Sequence, residues 1–97
     1  MTERSSARIR VADEAAARIR HLPPEIKHRV RAALDMIART PLAGKELKDD
    51  LAGYRSCKVK TFRLVYRITD RDRVEVISFG PRATIYTEAQ QRAREKP

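Results

Sequence analysis

In KVKTFRLVYRI, Lys58 to Ile68, the apolar positions fall two residues apart. Read as a strand, the stretch sends Phe62, Leu64, Tyr66 and Ile68 to one side and Arg63, Val65 and Arg67 to the other, with Lys58 and Lys60 just upstream. One face is a core and the other is cationic. A strand does not need so many positive charges on its second face in order to fold, so the pattern asks what negative group belongs there.

The neighbouring sequence extends the period of two. Tyr54 to Val59 and Arg73 to Phe79 read as further strands, with Asp70 to Asp72 as the turn before the last and Gly80-Pro81 terminating the sheet. Upstream, Leu42 to Gly53 reads as a loop in which Asp49-Asp50 cap or turn the chain. A short C-terminal helix, TEAQQRARE, is expected after Tyr86.

The first half changes period. Arg8 to Val11 (RIRV) suits a short strand with Ile9 and Val11 inward. Asp13 is placed to cap a helix that runs through DEAAARIRHL and stops at Pro23-Pro24, because the residue before a proline is pushed out of helical geometry. Pro24 opens the next helix, where Ile26, Val30, Ala33, Leu34 and Ile37 recur at helical spacing up to Arg39. The expected fold is α+β: an antiparallel sheet of about four strands, mixed at the N-terminal strand, with a two-helix hairpin on one face. The other face is left to solvent, as antiparallel sheets allow, and it receives Ser56, Lys58, Arg63 and Arg67.

Length and charge bound the rest. The 97 residues suit a single domain, 1–97, with 1–6 and 95–97 flexible, large enough to bury a modest core without staples. Of the net charge of +9, most belongs to residues 54–97, where 11 basic residues face 5 acidic ones. Such an excess attracts polyanions, nucleic acid first. No apolar run approaches the roughly 20 residues that span a bilayer, and MTERSSARIR lacks the apolar stretch of a signal peptide, so a cytoplasmic protein without a membrane partner is expected. One cysteine, Cys57, excludes an internal disulfide, and with His21 and His28 the only imidazoles no metal-ligand spacing is present: neither metal nor cofactor is expected.

The usual catalytic arrangements are poorly served. Both histidines lie in the helical half and alternation turns Cys57 toward the core, so a thiol-imidazole pair has no support; the carboxylates scatter, with Glu75 the one acid expected inside the last strand. Strand Lys and Arg commonly serve as a solvated face or protect an edge. They also suit another chemistry. An RNA phosphodiester is cut by its own 2′-hydroxyl once a base takes the proton, cations stabilise the charge gathering on phosphorus, and an acid protonates the leaving oxygen. The guanidinium fork matches phosphate oxygens in pairs. A lysine crowded by cations releases its proton more readily, and a tyrosine can supply or orient an acid.

The order of the pieces adds a family resemblance. Leu51 with Gly53, then Lys58, then Phe62-Arg63-Leu64-Val65-Tyr66, then Gly80-Pro81-Arg82 and Tyr86 resemble the RelE/ParE superfamily of bacterial toxin-antitoxin toxins over Ile9 to Ala89. Each piece is weak alone; their order and spacing together are fairly specific. The RelE-like resemblance implies a small metal-independent endoribonuclease that enters the ribosomal A site, cuts mRNA and so inhibits translation, with a cognate antitoxin as its silencing partner. Carried over by position, Arg63 and Arg82 hold the scissile phosphate, Tyr86 stacks or moves a proton, and Lys58 is the best base. Lys60, Arg55, Arg67 and Lys48 are the expected contacts to RNA and ribosome. Relatives often have Gly-Asp at Lys60-Thr61, which sets Lys60 on a turn, and a histidine at Pro81. The superfamily also holds ParE-type proteins that poison DNA gyrase, and a catalytically degenerate binding member is a further alternative.

Overall fold

The computed structural model describes residues 7–95. The flexibility expected for 1–6 and 95–97 lies outside the described residues, save for Glu95, which ends the last helix. In chain order the elements are β1 (Arg8–Val11), α1 (Asp13–Arg20), α2 (Pro24–Arg39), β2 (Lys45–Glu46), β3 (Tyr54–Val59), β4 (Phe62–Asp70), β5 (Arg73–Pro81) and α3 (Arg82–Glu95), with short 3-10 turns at Pro41–Ala43 and Asp49–Leu51. The sheet has five strands in the order β1-β5-β4-β3-β2, where about four were expected. The added one, β2, is two exposed residues pairing with β3, too short and polar to show a period of two. Only β1 runs parallel to its neighbour, β5, which gives the expected mixed character.

The helical hairpin forms where proline chemistry put it. α1 ends at Arg20, and Pro24 occupies the first turn of α2, where its missing N–H costs nothing. Asp13 is not the cap. The Ala12 N–H bonds to the Val76 carbonyl, which holds residue 12 in extended geometry, and Asp13 becomes the first helical residue, an acid at the positive end of the helix. Val30 and Ile37 of α2 and Ala15 of α1 bury against Val59, Leu64, Tyr66, Val74, Val76 and Phe79 of the sheet. Ile68 was expected among them; near the end of β4, beyond an irregularity in the β4–β5 ladder, it is 38% exposed.

The second face is not open. α3 lies across it, and Ile85 and Ala89 pack with Leu51, Tyr54, Val65 and Ile77 into a second core. Val65, assigned by alternation to the cationic face, is fully buried there. A register shift adds to this core: Tyr66 pairs with Val76 but Val65 pairs with Ser78, so β5 has one extra residue, Ile77, and it joins the second core. The helix also starts earlier than expected. Pro81 still pairs with Phe62 inside the sheet, and α3 begins at once with Arg82. The β-prone Thr84-Ile85-Tyr86 hides a helix because burying Ile85 and Ala89, four residues apart, outweighs local propensity.

Two ties hold α3 against α1. Arg18 donates to both carboxylate oxygens of Glu88, at 2.7 and 3.1 Å, and to the Phe79 carbonyl at 2.9 Å, while Arg92 pairs with Glu14. Arg18 thereby satisfies a backbone carbonyl of β5 beyond the part that β1 covers.

Candidate functional site

With α3 crossing the sheet, the cations of that face do not form one continuous surface. Part of them gather in a groove of about 520 Å³ beside the helix. Its floor comes from β3 and β4, where Lys58 and Arg63 are direct cross-strand partners, and Arg63 in turn lies opposite Gly80. Its wall comes from α3: Arg82, Tyr86 and Gln90 are four residues apart and so share one face of the helix. Lys45, Lys48 and Asp49 close the side nearest β2. Five cations thus meet one carboxylate.

Two of these placements oppose stability. Like charges directly opposite on neighbouring strands repel, by a few tenths of a kcal/mol or more. Arg82 sits in the first turn of α3, where the helix dipole disfavours a cation and no acid offsets it. A groove that tolerates both can accept an anion from outside.

Within it, the Tyr86 hydroxyl is 3.4 Å from the Oγ of Ser56, itself buried, which steadies the ring at the groove wall. The Arg63 guanidinium lies 3.3 Å from the Phe62 carbonyl. Lys58 is exposed and Arg63 half-buried. No imidazole lines the groove: His21 and His28 are exposed on the helical hairpin, His21 with its Nδ1 2.8 Å from the Ala17 carbonyl. Cys57 is half-buried against the first core, and that burial raises its thiol above the ordinary pKa, away from the reactive thiolate. Among the described residues no three His, Cys, Asp or Glu side chains are placed to hold a metal ion together. No helix among them is long and apolar enough to cross a membrane.

A family model for the ParE toxin of type II toxin-antitoxin systems matches residues 9–86. The chain belongs to this family. A chain of the RelBE2 toxin-antitoxin complex from Mycobacterium tuberculosis is 34% identical, with 79% of this chain and 99% of that one covered, at a TM-score of 0.68. A mutant of the Escherichia coli toxin RelE in the free state is 24% identical over 90% of this chain and 97% of that one, at a TM-score of 0.75. A chain of the YoeB-YefM complex from Staphylococcus aureus is 23% identical over 76% and 94%, at 0.66. The last two speak for the fold alone. A comparison with curated protein sequences finds no match.

For this RelE/ParE superfamily toxin, the structure separates the sequence-derived candidates into two sets. Lys58, Arg63, Arg82, Tyr86 and Lys48 line the one groove. Arg55, Lys60 and Arg67 do not. Arg55 points the opposite way from its neighbours Tyr54 and Ser56 and donates to the carbonyls of Leu42 and Gly44, at 3.2 and 2.9 Å, tying down the approach to β2. Lys60 rides the two-residue turn between β3 and β4 in left-handed geometry, φ 57°, exposed. Arg67 lies against Glu75, at 3.2 Å, with its guanidinium carbon 5.7 Å from the centre of the Tyr54 ring.

Sequence reasoning missed Lys45 and Gln90 as groove residues and read Asp49 only as a cap or turn. Gln90 was recoverable: had the helix been started at Arg82, the spacing 82-86-90 would have put it on the same face. Lys45 sits in a strand with no pattern to read.

Proposed function

We propose that this chain is the toxin of a toxin-antitoxin pair and works as a ribosome-dependent endoribonuclease that cuts mRNA in the A site. The observation that carries the reading is the convergence of Lys58, Arg63, Arg82 and Tyr86 on one cationic groove. Lys58 takes the proton of the 2′-hydroxyl as its oxygen attacks phosphorus; the bond from phosphorus to the 5′-oxygen breaks, leaving a cyclic 2′,3′-phosphate. Arg63 and Arg82 stabilise the charge that builds on the phosphoryl oxygens. Tyr86 positions or protonates the departing 5′-oxygen. Lys48 and Lys45 guide the flanking backbone.

Dependence on the ribosome follows from what the groove is made of. A lysine has an unperturbed pKa near 10.4, which makes it a weak base at neutral pH. The five aromatic residues of the chain leave few to stack bases, since Tyr54, Tyr66 and Phe79 are buried. A ribosome that holds the messenger with its 2′-hydroxyl in line supplies the orientation, an effect worth several kcal/mol. RelBE2 and YoeB-YefM are toxin-antitoxin complexes. By analogy this chain has a cognate antitoxin, most simply one with an acidic segment.

The match to the ParE model favours a second reading, in which the toxin poisons DNA gyrase and the cations serve binding alone. Two experiments separate them. After induced expression of this chain, primer extension on a reporter messenger should show new 5′ ends within translated codons. In a purified system, messenger in a 70S A site should be cut far faster than the same RNA free. Growth arrest with messengers intact and gyrase inhibited would establish the second reading instead.

A further inference from the structure

On the other side of α3 the same sheet face carries a second basic groove, of about 420 Å³. Four arginines line it: Arg8 and Arg10 from β1, Arg67 from β4 and Arg73 from β5. The register explains their meeting, since Arg8 is opposite Arg73, and both Arg10 and Arg67 are opposite Glu75. Glu75 is nearly buried and pairs with Arg67 at 3.2 Å and, more loosely, with the exposed Arg10 at 3.8 Å, so it holds the Arg67 guanidinium in place while cancelling one charge of four. The turn acids Asp70 and Asp72 line no part of the groove. None of this serves the first groove: Arg67 is four residues along β4 from Arg63, about 13 Å at strand rise.

We propose that this arginine groove is a second phosphate-binding site, which grips the RNA backbone away from the scissile bond. The proposal rests on the RNA-binding part of the function proposed above. Its chemistry favours phosphate over an acidic protein segment. Guanidinium forks match phosphate oxygens bidentately, whereas a protein helix seeks apolar pockets for its anchors, and here the apolar lining is Ile9 and Val74, both committed to the first core. Arg8 and Arg73 repel one another across β1 and β5, as Lys58 and Arg63 do across β3 and β4, and an anion between them relieves this.

The test is equilibrium binding of a labelled single-stranded RNA to the purified chain, by fluorescence anisotropy over a salt series. R8Q/R73Q alters two exposed side chains. R29Q/R31Q removes the same charge from exposed positions of α2 and serves as control. Two lost phosphate contacts should reduce the slope of log Kd against log salt by about 1.4 and weaken binding about 25-fold at 0.1 M salt, with a smaller change in the control. R8Q alone should give about half the slope change, and R8K/R73K, which keeps the charges but not the forks, should restore the slope while recovering only part of the affinity. Equal losses in R8Q/R73Q and R29Q/R31Q would overturn the proposal, as would an unaltered slope or an unmodified chain that binds no RNA. So would retained RNA binding with lost capture of an acidic antitoxin. Because binding is read without cleavage, failure of the chain to cut mRNA would refute the ribonuclease and leave this result standing.

Discussion

Replacing Arg82 by alanine should make the protein more stable and less active at once. Arg82 is exposed, makes no ion pair or hydrogen bond among the described residues, and opens α3 at the positive end of the helix dipole. Removing a cation there is worth about 0.5 kcal/mol, which for a domain of this size raises Tm by about 2–4 °C. If Arg82 stabilises the phosphorane charge, its loss takes away about 3 kcal/mol of transition-state stabilisation, somewhat over a hundredfold in rate. Thermal denaturation and single-turnover cleavage in programmed 70S complexes measure the two quantities. Arg67→Ala is the contrast: it strips a partner from the buried Glu75, so stability should fall by about 1–3 kcal/mol while cleavage at saturating protein changes little. Arg82→Ala with a lowered Tm, or with an undiminished cleavage rate, would refute the argument that this arginine is kept for chemistry against the interest of the fold.

Two predictions concern the frame that carries the groove. Tyr66 donates to the Pro41 carbonyl at 2.7 Å and accepts from the Gly44 N–H at 2.9 Å, so Tyr66→Phe should cost about 1–3 kcal/mol in urea denaturation at neutral pH. Burial raises the Tyr66 phenol above its ordinary value, so that contribution is complete below about pH 10 and is lost as pH rises through the folded-state pKa; the Phe variant should lack this part of the alkaline decline. Lys60 holds a positive φ that only glycine adopts freely, and Lys60→Gly should raise the denaturation midpoint by about 1 kcal/mol equivalent, with groove activity altered much less than by Arg82→Ala.

Most of the fold was legible because each element carried its own signal. The prolines at 23 and 24 mark the hairpin, and alternation from Phe62 to Tyr66 gives the first core face. What failed was whatever depends on partners far along the chain. Val65 looked like a member of an exposed face because nothing local shows α3 lying over it, and alternation along β5 misplaces residues wherever a bulge resets the period. β2 exists only because Lys45 and Glu46 find Ser56 and Arg55 across a short loop.

The same distinction governs the site. Lys58 and Arg63 could be put on one surface from strand parity alone, since both belong to the β3–β4 hairpin and the two-residue turn at Lys60-Thr61 fixes their register. Arg67 shares that parity with Arg63 and was grouped with it for the same reason, yet the helix between them makes two grooves of one face. Parity says which side of a sheet a residue takes and nothing about what crosses that side. Arg82 and Tyr86 complete the first groove only because the chain passes from strand to helix without a loop, so that the residue after Pro81 already belongs to the helix wall. The groove therefore depends on α3 remaining docked through Ile85, Ala89 and the Arg18–Glu88 tie, and whatever displaced α3 would scatter Arg82 and Tyr86 while leaving Lys58 and Arg63 in place.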